Sequence, residues 1–291
     1  MTPATPRAPL VLGAGGLLGS ALARVLERTF PATVAATRAE IDIEDRFGME
    51  AGIERLQPGV VINCAGFTDI DAGERDPDVV RGTNVEGAEN VARAAHNTGS
   101  RLIQISCGMV FDGSSQRPYR EEDPTGPLSV YGASKLEGEQ RMAALGGDIL
   151  IVRSSWLYGP GRASFVDGIR LRARAGGVLG VVGDQHGSPT YVLDLAGAIG
   201  RLIDIDHRGL VHFANTGICS RYELAQEIVA SSGASGLRIE PIRTQQTAGT
   251  VRRPAQSALD PGLYTRLTGE APRHWRDALL DYLGRPVAGD E

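Results

Sequence analysis

The sequence predicts an α/β fold in which a doubly wound parallel sheet is covered by helices on both faces. In the first half of the chain, short apolar runs rich in β-branched residues alternate with longer amphipathic stretches. Strands that are apolar on both faces are typical of a buried parallel sheet. A glycine-rich turn after the first strand indicates that this sheet is of the Rossmann type.

The predicted elements follow one another in a regular order. Strands are predicted at Leu10–Leu12, Ala32–Ala36, Gly59–Cys64, Arg101–Ser106 and Asp148–Arg153. Helices are predicted at Leu17–Arg28, Asp78–Thr98, Ser134–Ala144, Val192–Ile203, Arg221–Ser231 and His274–Leu283. A signal peptide is the alternative for the first strand and helix, but glycines interrupt its apolar segment and only Arg7 precedes it.

The length of the chain suits two domains, since 291 residues are close to twice the roughly 150 of a typical domain. Residues 1–155 are predicted to form a dinucleotide-binding domain, to which segments from about 185–215 return. The pattern is less regular in about 156–184 and 216–291. These segments are predicted to form a smaller, discontinuous C-terminal domain that binds substrate.

Composition and charge exclude several classes of protein. The net charge is −5, from 35 acidic and 30 basic residues, and no basic block stands out, so we expect no nucleic-acid or membrane partner. No apolar run reaches the roughly 18 residues of a spanning helix. Cys64, Cys107 and Cys219 are far apart and odd in number, so we expect no disulfide framework, no metal site and a cytoplasmic localisation.

The turn after the first strand contains Gly13, Gly16 and Gly19, which fit the pattern G-x-x-G-x-x-G between a strand and a helix. Glycines permit a tight turn and let the backbone approach a pyrophosphate, which the N–H groups of the helix N-terminus bind. The pattern predicts a dinucleotide site. An ordinary glycine-rich loop is the alternative.

The residues after the second strand distinguish NAD from NADP. An acidic side chain at this position binds the ribose 2′-hydroxyl of NAD, whereas an arginine accommodates the 2′-phosphate of NADP. The segment Ala36-Thr37-Arg38 contains no carboxylate, so we expect NADP(H) to be preferred and NAD(H) to be possible. The alternative is that Arg38 is an ordinary solvated arginine.

Tyr131 and Lys135 are four residues apart, which places them on one face of a helix. Lys135 is the only lysine among 30 basic residues, which indicates a site where a bulky guanidinium cannot replace a compact ammonium. Tyrosine can donate a proton to a carbonyl oxygen, and a neighbouring ammonium is expected to lower its pKa. The pair predicts a catalytic proton donor, with an incidental surface pair as the alternative.

Longer segments carry a resemblance to a known family. They are Asn63–Thr68 with Asp71 and Glu74, Val110–Gly113, Tyr119–Asp123, Pro127–Glu139, Arg153–Gly159, Asp184–Thr190, Arg252–Pro254 and Trp275-Arg276. In this order they resemble the dTDP-4-dehydrorhamnose reductases, a family of extended short-chain dehydrogenases/reductases. The resemblance covers nearly the whole chain. It implies NADP(H)-dependent reduction of the C4 ketone of a nucleotide-diphospho-sugar, a 4-keto-6-deoxyhexose, and we expect a monomer or homodimer.

The resemblance also implies roles for individual residues. Tyr131 would be the proton donor, Lys135 its electrostatic partner, and Cys107 would stand at the position of a catalytic threonine. The cofactor site, predicted above at Gly13, Gly16, Gly19 and Arg38, would extend to Leu17, Leu18, Asp42, Ile43, Gly66, Phe67, Thr68, Ile105, Tyr131 and Lys135. The substrate would contact Cys107, Gly108, Trp156 and either Arg252 or Arg253. Core packing is the alternative for the tryptophan.

The sequence departs from the family at Ser106-Cys107-Gly108-Met109, where relatives read S-T-D-Y. A thiol is a weaker hydrogen-bond donor than the hydroxyl it replaces, so polarisation of the ketone is expected to suffer. Because Gly108 and Met109 replace the aspartate and tyrosine of the relatives, we expect a substrate wall that is more open and less polar than theirs. These changes support a second hypothesis, a non-catalytic NADP-binding regulatory or scaffold subunit. The methionine adenosyltransferase β subunit is such a member of the wider family.

Overall fold

The fold is built around a parallel sheet. The structure is a computed structural model that describes residues 8–232, 236–246 and 251–284. The strands are β1 (Pro9–Leu12), β2 (Val34–Ala36), β3 (Val60–Asn63), β4 (Arg101–Cys107), β5 (Ile149–Ser154), β6 (Leu157–Tyr158), β7 (Gly177–Val182), β8 (His186–Gly187), β9 (Thr190–Tyr191), β10 (Gly209–His212), β11 (Cys219–Ser220) and β12 (Leu237–Ile242). A six-stranded sheet has the order β10-β5-β4-β3-β1-β2, and every neighbouring pair in it is parallel. The predicted doubly wound parallel sheet is confirmed.

The order of the strands reverses at β1, which has β2 on one side and β3 on the other. The chain leaves β1 and β3 toward opposite faces of such a sheet, and this opens a crevice at the carboxyl ends of the strands. All four residues of β1 are buried, which explains its continuous apolar run. The topology therefore fixes where a ligand is expected to bind.

Helices connect the strands and cover the sheet. They are α1 (Leu17–Thr29), α2 (Arg46–Leu56), α3 (Ile70–Arg75), α4 (Pro77–Arg81), α5 (Ala88–Thr98), α6 (Val130–Leu145), α7 (Phe165–Ala175), α8 (Val192–Leu202), α9 (Arg221–Ser231), α10 (Gly262–Thr268) and α11 (Trp275–Leu283). None of the helices in the described ranges is long and apolar enough to cross a bilayer.

Several helices differ from the sequence prediction. Helices α2, α3, α7 and α10 were not predicted; α2 buries only Met49, Gly52 and Ile53, so its apolar pattern is weak. The helix predicted at Asp78–Thr98 is divided into α4 and α5 by a π-helical segment at 82–87. Helix α6 begins before the predicted residue 134 because the side chain of Ser129 caps it by accepting the N–H of Gly132.

Two apolar clusters lie on the sheet. Helices α1 and α8 contribute Leu22 and Leu195 to one cluster, whereas α2, α5 and α6 contribute Ile53, Val91 and Met142 to the other. Helix α8 and strand β10 both come from the segment 185–215. Their positions support the proposal that this segment returns to the larger domain.

A third apolar cluster is drawn from α7, α9 and α11 and includes Ile169, Ile228 and Trp275. Strands β7 and β12 form a separate two-stranded parallel sheet. These elements support the proposal of a smaller domain. Helix α10 lies within the segment 216–291, but its Tyr264 packs into the cluster that contains α1 and α8. We therefore propose that α10 belongs to the larger domain.

Helix α6 packs closely against its neighbours because two of its residues are glycines. A Cβ atom at Gly132 would overlap the carbonyl oxygen of Met109, and one at Gly138 would overlap the carbonyl oxygen of Asn84. Backbone carbonyls cannot move aside as the end of a flexible side chain can. Any side chain at either position would therefore displace the helix.

Gly138→Ala is expected to destabilise the protein by about 1–3 kcal/mol, because the added methyl group overpacks α6 against backbone. Gly168→Ala in α7 is the matched control, since nothing lies within 4 Å of its Cβ position. This control should stabilise the protein by about 0.5–1 kcal/mol, because alanine favours the helix. Urea unfolding measures both effects, and similar free energies of unfolding for the two variants would contradict the close packing of α6.

Candidate active site

A cavity of about 500 Å³ opens at the carboxyl ends of β1, β3, β4 and β5. Its other wall consists of residues from outside the six-stranded sheet, among them Trp156, Phe165 and Arg221. The cavity coincides with the crevice created by the reversal of strand order. Doubly wound folds bind dinucleotides at this place.

Most of the predicted site residues line this cavity. They are Gly16, Leu17, Leu18, Gly66, Phe67, Thr68, Ile105, Cys107, Gly108, Tyr131, Lys135, Trp156 and Arg253. The predicted residues that do not line it are Gly13, Gly19, Arg38, Asp42, Ile43 and Arg252. The structure thus brings together the predicted catalytic residues, part of the predicted cofactor site and the predicted substrate contacts.

Gly13 and Gly19 shape the turn after β1 rather than the cavity wall. Gly13 has a φ of +74°, and a Cβ atom there would lie 2.6 Å from the amide nitrogen of Ala65. A Cβ atom at Gly19 would overlap the carbonyl of Gly13. The turn places Gly16, the N-cap of α1, at the cavity, and no side chain caps this helix terminus. Its first amide N–H groups are donors suited to a pyrophosphate.

Arg38 lies on the loop after β2. Its guanidinium pairs with Asp42 (Nε to Oδ2, 3.1 Å) and Glu44 (Nη2 to Oε1, 3.3 Å), and its side chain is 70% exposed. The side chain of Ile43 is buried, so an adenine ring would meet the backbone of this residue. The exposed cation remains a candidate for binding a 2′-phosphate.

Tyr131, Lys135 and Cys107 meet on the floor of the cavity. The Tyr131 hydroxyl and the Cys107 thiol are close enough for each to affect the pKa of the other. The Nζ of Lys135 donates to the carbonyl oxygen of Ile105 at 2.8 Å. Tyr131 is 9% exposed and Lys135 is 8% exposed, so both polar groups act in a largely dry environment.

Burial dominates the protonation of this cluster. It raises the pKa of Tyr131 well above the usual value, and Cys107 adds to the rise. The sequence predicts a lowered pKa for Tyr131, but the pKa is raised, because burial penalises the phenolate. Burial lowers the pKa of Lys135, which Cys107, Glu139 and Cys64 oppose. At neutral pH the phenol keeps its proton.

The loop that carries Gly66 and Phe67 is held by Asn84, which the sequence analysis missed. Asn84 accepts the N–H of Phe67 at 2.9 Å and donates to the carbonyl of the same residue at 3.1 Å. It also donates to the Oγ of Ser134, which neighbours Lys135 on α6, at 3.0 Å. Asn84 lies in the π-helical segment. An asparagine inside a long helical pattern is the only signal in the sequence that could have indicated it.

Trp156 adopts a left-handed backbone conformation with φ +49°, which is uncommon for a residue other than glycine. The guanidinium carbon of Arg221 lies 3.6 Å from the centroid of its ring. Burial, with a contribution from Arg253, lowers the pKa of Arg221 to about 9. The sequence analysis missed Arg221 because one arginine among 29 carries no signal of its own.

The segment that precedes α10 closes the cavity rim. Arg253 pairs through Nη2 with the Oδ2 of Asp71 at 2.7 Å and so connects this segment to α3. A Cβ atom at Gly108 would lie 2.8 Å from the carbonyl oxygen of Ser257. The prediction of a more open wall at Gly108 is therefore wrong, because the backbone at Ser257 fills the space. Met109 does line the cavity.

The cysteines are free thiols in the described part of the chain. Cys64 and Cys107 line the cavity, and Cys219 is buried elsewhere. Burial raises the pKa of Cys64 and of Cys219 to about 12, and it also raises the pKa of Cys107. Protonated thiols are poor nucleophiles. Among residues 8–232, 236–246 and 251–284, no group of three or more His, Cys, Asp or Glu side chains could hold a metal ion.

The parallel sheet with a cavity at its switch point defines a dinucleotide-binding fold of the Rossmann type. Solved structures of reductases with this fold are similar to this chain over nearly its whole length. The dTDP-4-dehydrorhamnose reductase (rfbD) from Bacillus anthracis, solved in complex with NADP, has a TM-score of 0.92 and 32% identity over 96% of this chain and 99% of that chain. The orthologue from Clostridium acetobutylicum has a TM-score of 0.89 and 34% identity over 95% and 98%.

Sequence comparisons define the family. The RmlD substrate binding domain matches residues 8–286. The dTDP-4-dehydrorhamnose reductase of Streptomyces griseus is 39% identical over 96% of both chains. The dTDP-4-keto-6-deoxy-D-glucose reductase of Streptomyces niveus is 35% identical over 93% of this chain, 94% of the length of the relative being covered. The chain belongs to the RmlD substrate binding domain family, and the resemblance drawn from its motifs is confirmed.

Lys135→Arg is expected to lower kcat by on the order of 100-fold or more, although it keeps a positive charge. The ammonium lies buried at 2.8 Å from the Ile105 carbonyl, where a planar guanidinium does not fit. Arg141→Lys, on the exposed side of the same helix, is the control and should keep its kcat. NADPH oxidation measures both, and a Lys135→Arg enzyme that retains most of its kcat would contradict the role of the lysine.

Proposed function

We propose that this chain is an NADP(H)-dependent reductase of the C4 ketone of a nucleotide-linked 4-keto-6-deoxyhexose. The observation that carries the proposal is the buried Tyr131–Lys135 pair on the floor of a cavity at the switch point of the sheet. Relatives at 35–39% identity are named as reductases of keto-deoxysugars, and the related Bacillus anthracis structure contains NADP. These names favour the enzyme over the scaffold subunit.

The residues at the glycine turn fit a dinucleotide. The N-terminus of α1 at Gly16 has no side-chain cap, and the positions of Gly13 and Gly19 leave no room for side chains. We infer that Gly16, Leu17 and Leu18 hold the pyrophosphate through backbone N–H groups. Gly66, Phe67, Thr68 and Ile105 border the cofactor further along the cavity. When bound, NADPH supplies the hydride for the ketone carbon.

Tyr131 is the proton donor in this proposal. Its raised pKa keeps a proton on the phenol oxygen at neutral pH, and this proton passes to the ketone oxygen as negative charge develops there. The ammonium of Lys135 stabilises the phenolate that remains. Because the cluster is buried, this electrostatic stabilisation is stronger than it would be in water. Cys107 completes the floor as a neutral, weak hydrogen-bonding group.

The substrate side of the cavity contains two cations. Burial, together with the nearby charge of Arg253, lowers the pKa of Arg221, so the two guanidinium groups lie close to each other. Adjacent cations on one wall favour a doubly charged anion, and guanidinium groups bind phosphate oxygens bidentately. We infer that they bind the diphosphate of the sugar nucleotide and that Trp156 contacts the substrate beside them.

Arg38→Ala is expected to raise the Kd for NADPH by about tenfold and to change the Kd for NADH by less than about twofold. Both cofactors contain the diphosphate, but only NADPH carries the 2′-phosphate that Arg38 is proposed to bind. Arg46→Ala removes another exposed arginine, which pairs with Glu50 on α2, and serves as the control. Calorimetric titration gives both constants. Equal losses for NADPH and NADH would show that Arg38 does not recognise the 2′-phosphate.

The wild-type protein is expected to oxidise NADPH with a dTDP- or GDP-linked 4-keto-6-deoxysugar. The variant Cys107→Thr should keep or raise kcat, because a hydroxyl donates to the ketone more strongly than a thiol. Cys219→Ala, outside the cavity, is the control. A panel of such sugars assayed with all three proteins tests the function. Tight NADPH binding without turnover of any sugar would refute the reductase and favour the scaffold subunit.

A further inference from the structure

Helix α6 carries a further charged residue on the face that holds Tyr131 and Lys135. Glu139 follows Lys135 by the same four residues that separate Lys135 from Tyr131, so the three side chains lie along one face. Glu139 is 5% exposed, which is rare for a carboxylate. It does not line the cavity, so contact with a ligand does not explain its burial.

Glu139 forms a buried bidentate ion pair with Arg153 of β5. The Nε of Arg153 donates to Oε1 at 2.9 Å, and the Nη2 donates to Oε2 at 2.5 Å. The guanidinium also lies over the ring of Phe111, at 5.2 Å from the centroid. Burying such a pair costs about as much in desolvation as its attraction returns, so stability alone does not account for it.

We propose that Glu139 is a positioning residue that keeps Lys135 charged beside Tyr131, and that Arg153 fixes the carboxylate behind the lysine. The proposal rests on the function proposed above for the tyrosine and the lysine. Lys135 lies in a dry environment that favours its neutral amine, and the Ile105 carbonyl orients the Nζ without supplying a full negative charge. A fixed carboxylate one helical turn away supplies that charge.

The direction of the electrostatic effect agrees with this geometry. Burial lowers the pKa of Lys135, and Glu139 raises it. The titratable groups that act on Lys135 are Cys107 from β4, Glu139 from α6 and Cys64 from the loop after β3, and Tyr131 lies on the same face of α6. Both thiols have raised pKa values and are neutral at pH 7. In the described ranges, Glu139 is therefore the carboxylate that acts on Lys135.

The groups behind the ion pair do not take over this role. His212 of β10 lies near Arg153, and burial together with Arg153 lowers its pKa to about 3, so it is neutral. Glu121 accepts the backbone N–H of His212 at 2.7 Å, and burial raises its pKa. Neither is among the groups that act on Lys135.

The single lysine of the chain permits a direct test. Full-length protein labelled with [¹³C]lysine gives one ε-carbon resonance, that of Lys135, whose change with pH reports its pKa without any assay of activity. Glu139→Gln is expected to lower this pKa by about one unit, because the ammonium loses its counter-charge. Glu137→Gln is the control on the exposed side of α6, where the carboxylate pairs with Arg81 and Arg141, and should leave the pKa unchanged.

A double variant separates positioning from stability. Glu139→Gln leaves a buried guanidinium without its carboxylate and is expected to weaken the fold in urea. The variant E139M/R153M removes both charges and should recover the free energy of unfolding, while the pKa of Lys135 stays low. In the pH profile of kcat, the fall on the alkaline side should shift to lower pH together with the pKa of Lys135.

Two outcomes overturn the proposal. One is a Glu139→Gln protein whose Lys135 resonance titrates as in the wild type. The other is an E139M/R153M protein that recovers both its stability and the wild-type pKa of Lys135, since that would make the ion pair purely structural. Because the resonance does not depend on turnover, an absence of reductase activity in the wild type would contradict the proposed function alone.

Discussion

The close packing of helix α6 against the sheet is the constraint on which the candidate site depends. Lys135 reaches the carbonyl of Ile105 at 2.8 Å only because α6 lies next to β4. The position of α6 also requires Gly132 and Gly138, whose missing side chains make room for the carbonyls of Met109 and Asn84 in the neighbouring segments. A displacement on the order of 1 Å is enough to impair a catalytic group. The two glycines are therefore as necessary to the site as the tyrosine and lysine that the helix carries.

Buried cations give the cavity its electrostatic character. Lys135 and Arg153 are buried and Arg221 is partly buried, so each needs a compensating group. The carbonyl of Ile105 and the carboxylate of Glu139 compensate Lys135, the same carboxylate pairs with Arg153, and the ring of Trp156 lies against Arg221. One carboxylate thus serves two of these cations, and an aromatic ring carries no full negative charge. The wall of the cavity therefore keeps a positive field, which suits an anionic cofactor and an anionic substrate.

The sequence predicts the sheet more completely than the cavity. Strands β1–β5 lie within two residues of their predicted positions, because each is a short run in which apolar residues predominate. The structure also has Tyr131 and Lys135 on one helix, as the sequence predicts, because their spacing is a local property of that helix. Arg221 and Ser257 could not be predicted, and Asn84 only through its place in a helical pattern, because their roles come from contacts with residues that are distant along the chain. No local pattern encodes such contacts, nor the burial that raises the pKa of the tyrosine.

In the proposed function, Arg221 and Arg253 differ in the groups that a bound diphosphate would displace. The ion pair between Arg253 and Asp71 is 34% and 51% exposed, and an exposed pair contributes about 1 kcal/mol or less, so an anion replaces the carboxylate at little cost. Arg221 is desolvated against the ring of Trp156, and a phosphate oxygen there restores interactions that burial removed. Arg253 is therefore suited to binding the diphosphate first at the rim, and Arg221 is suited to holding it in the cavity. Trp156, whose ring lies against this cation, has a left-handed backbone.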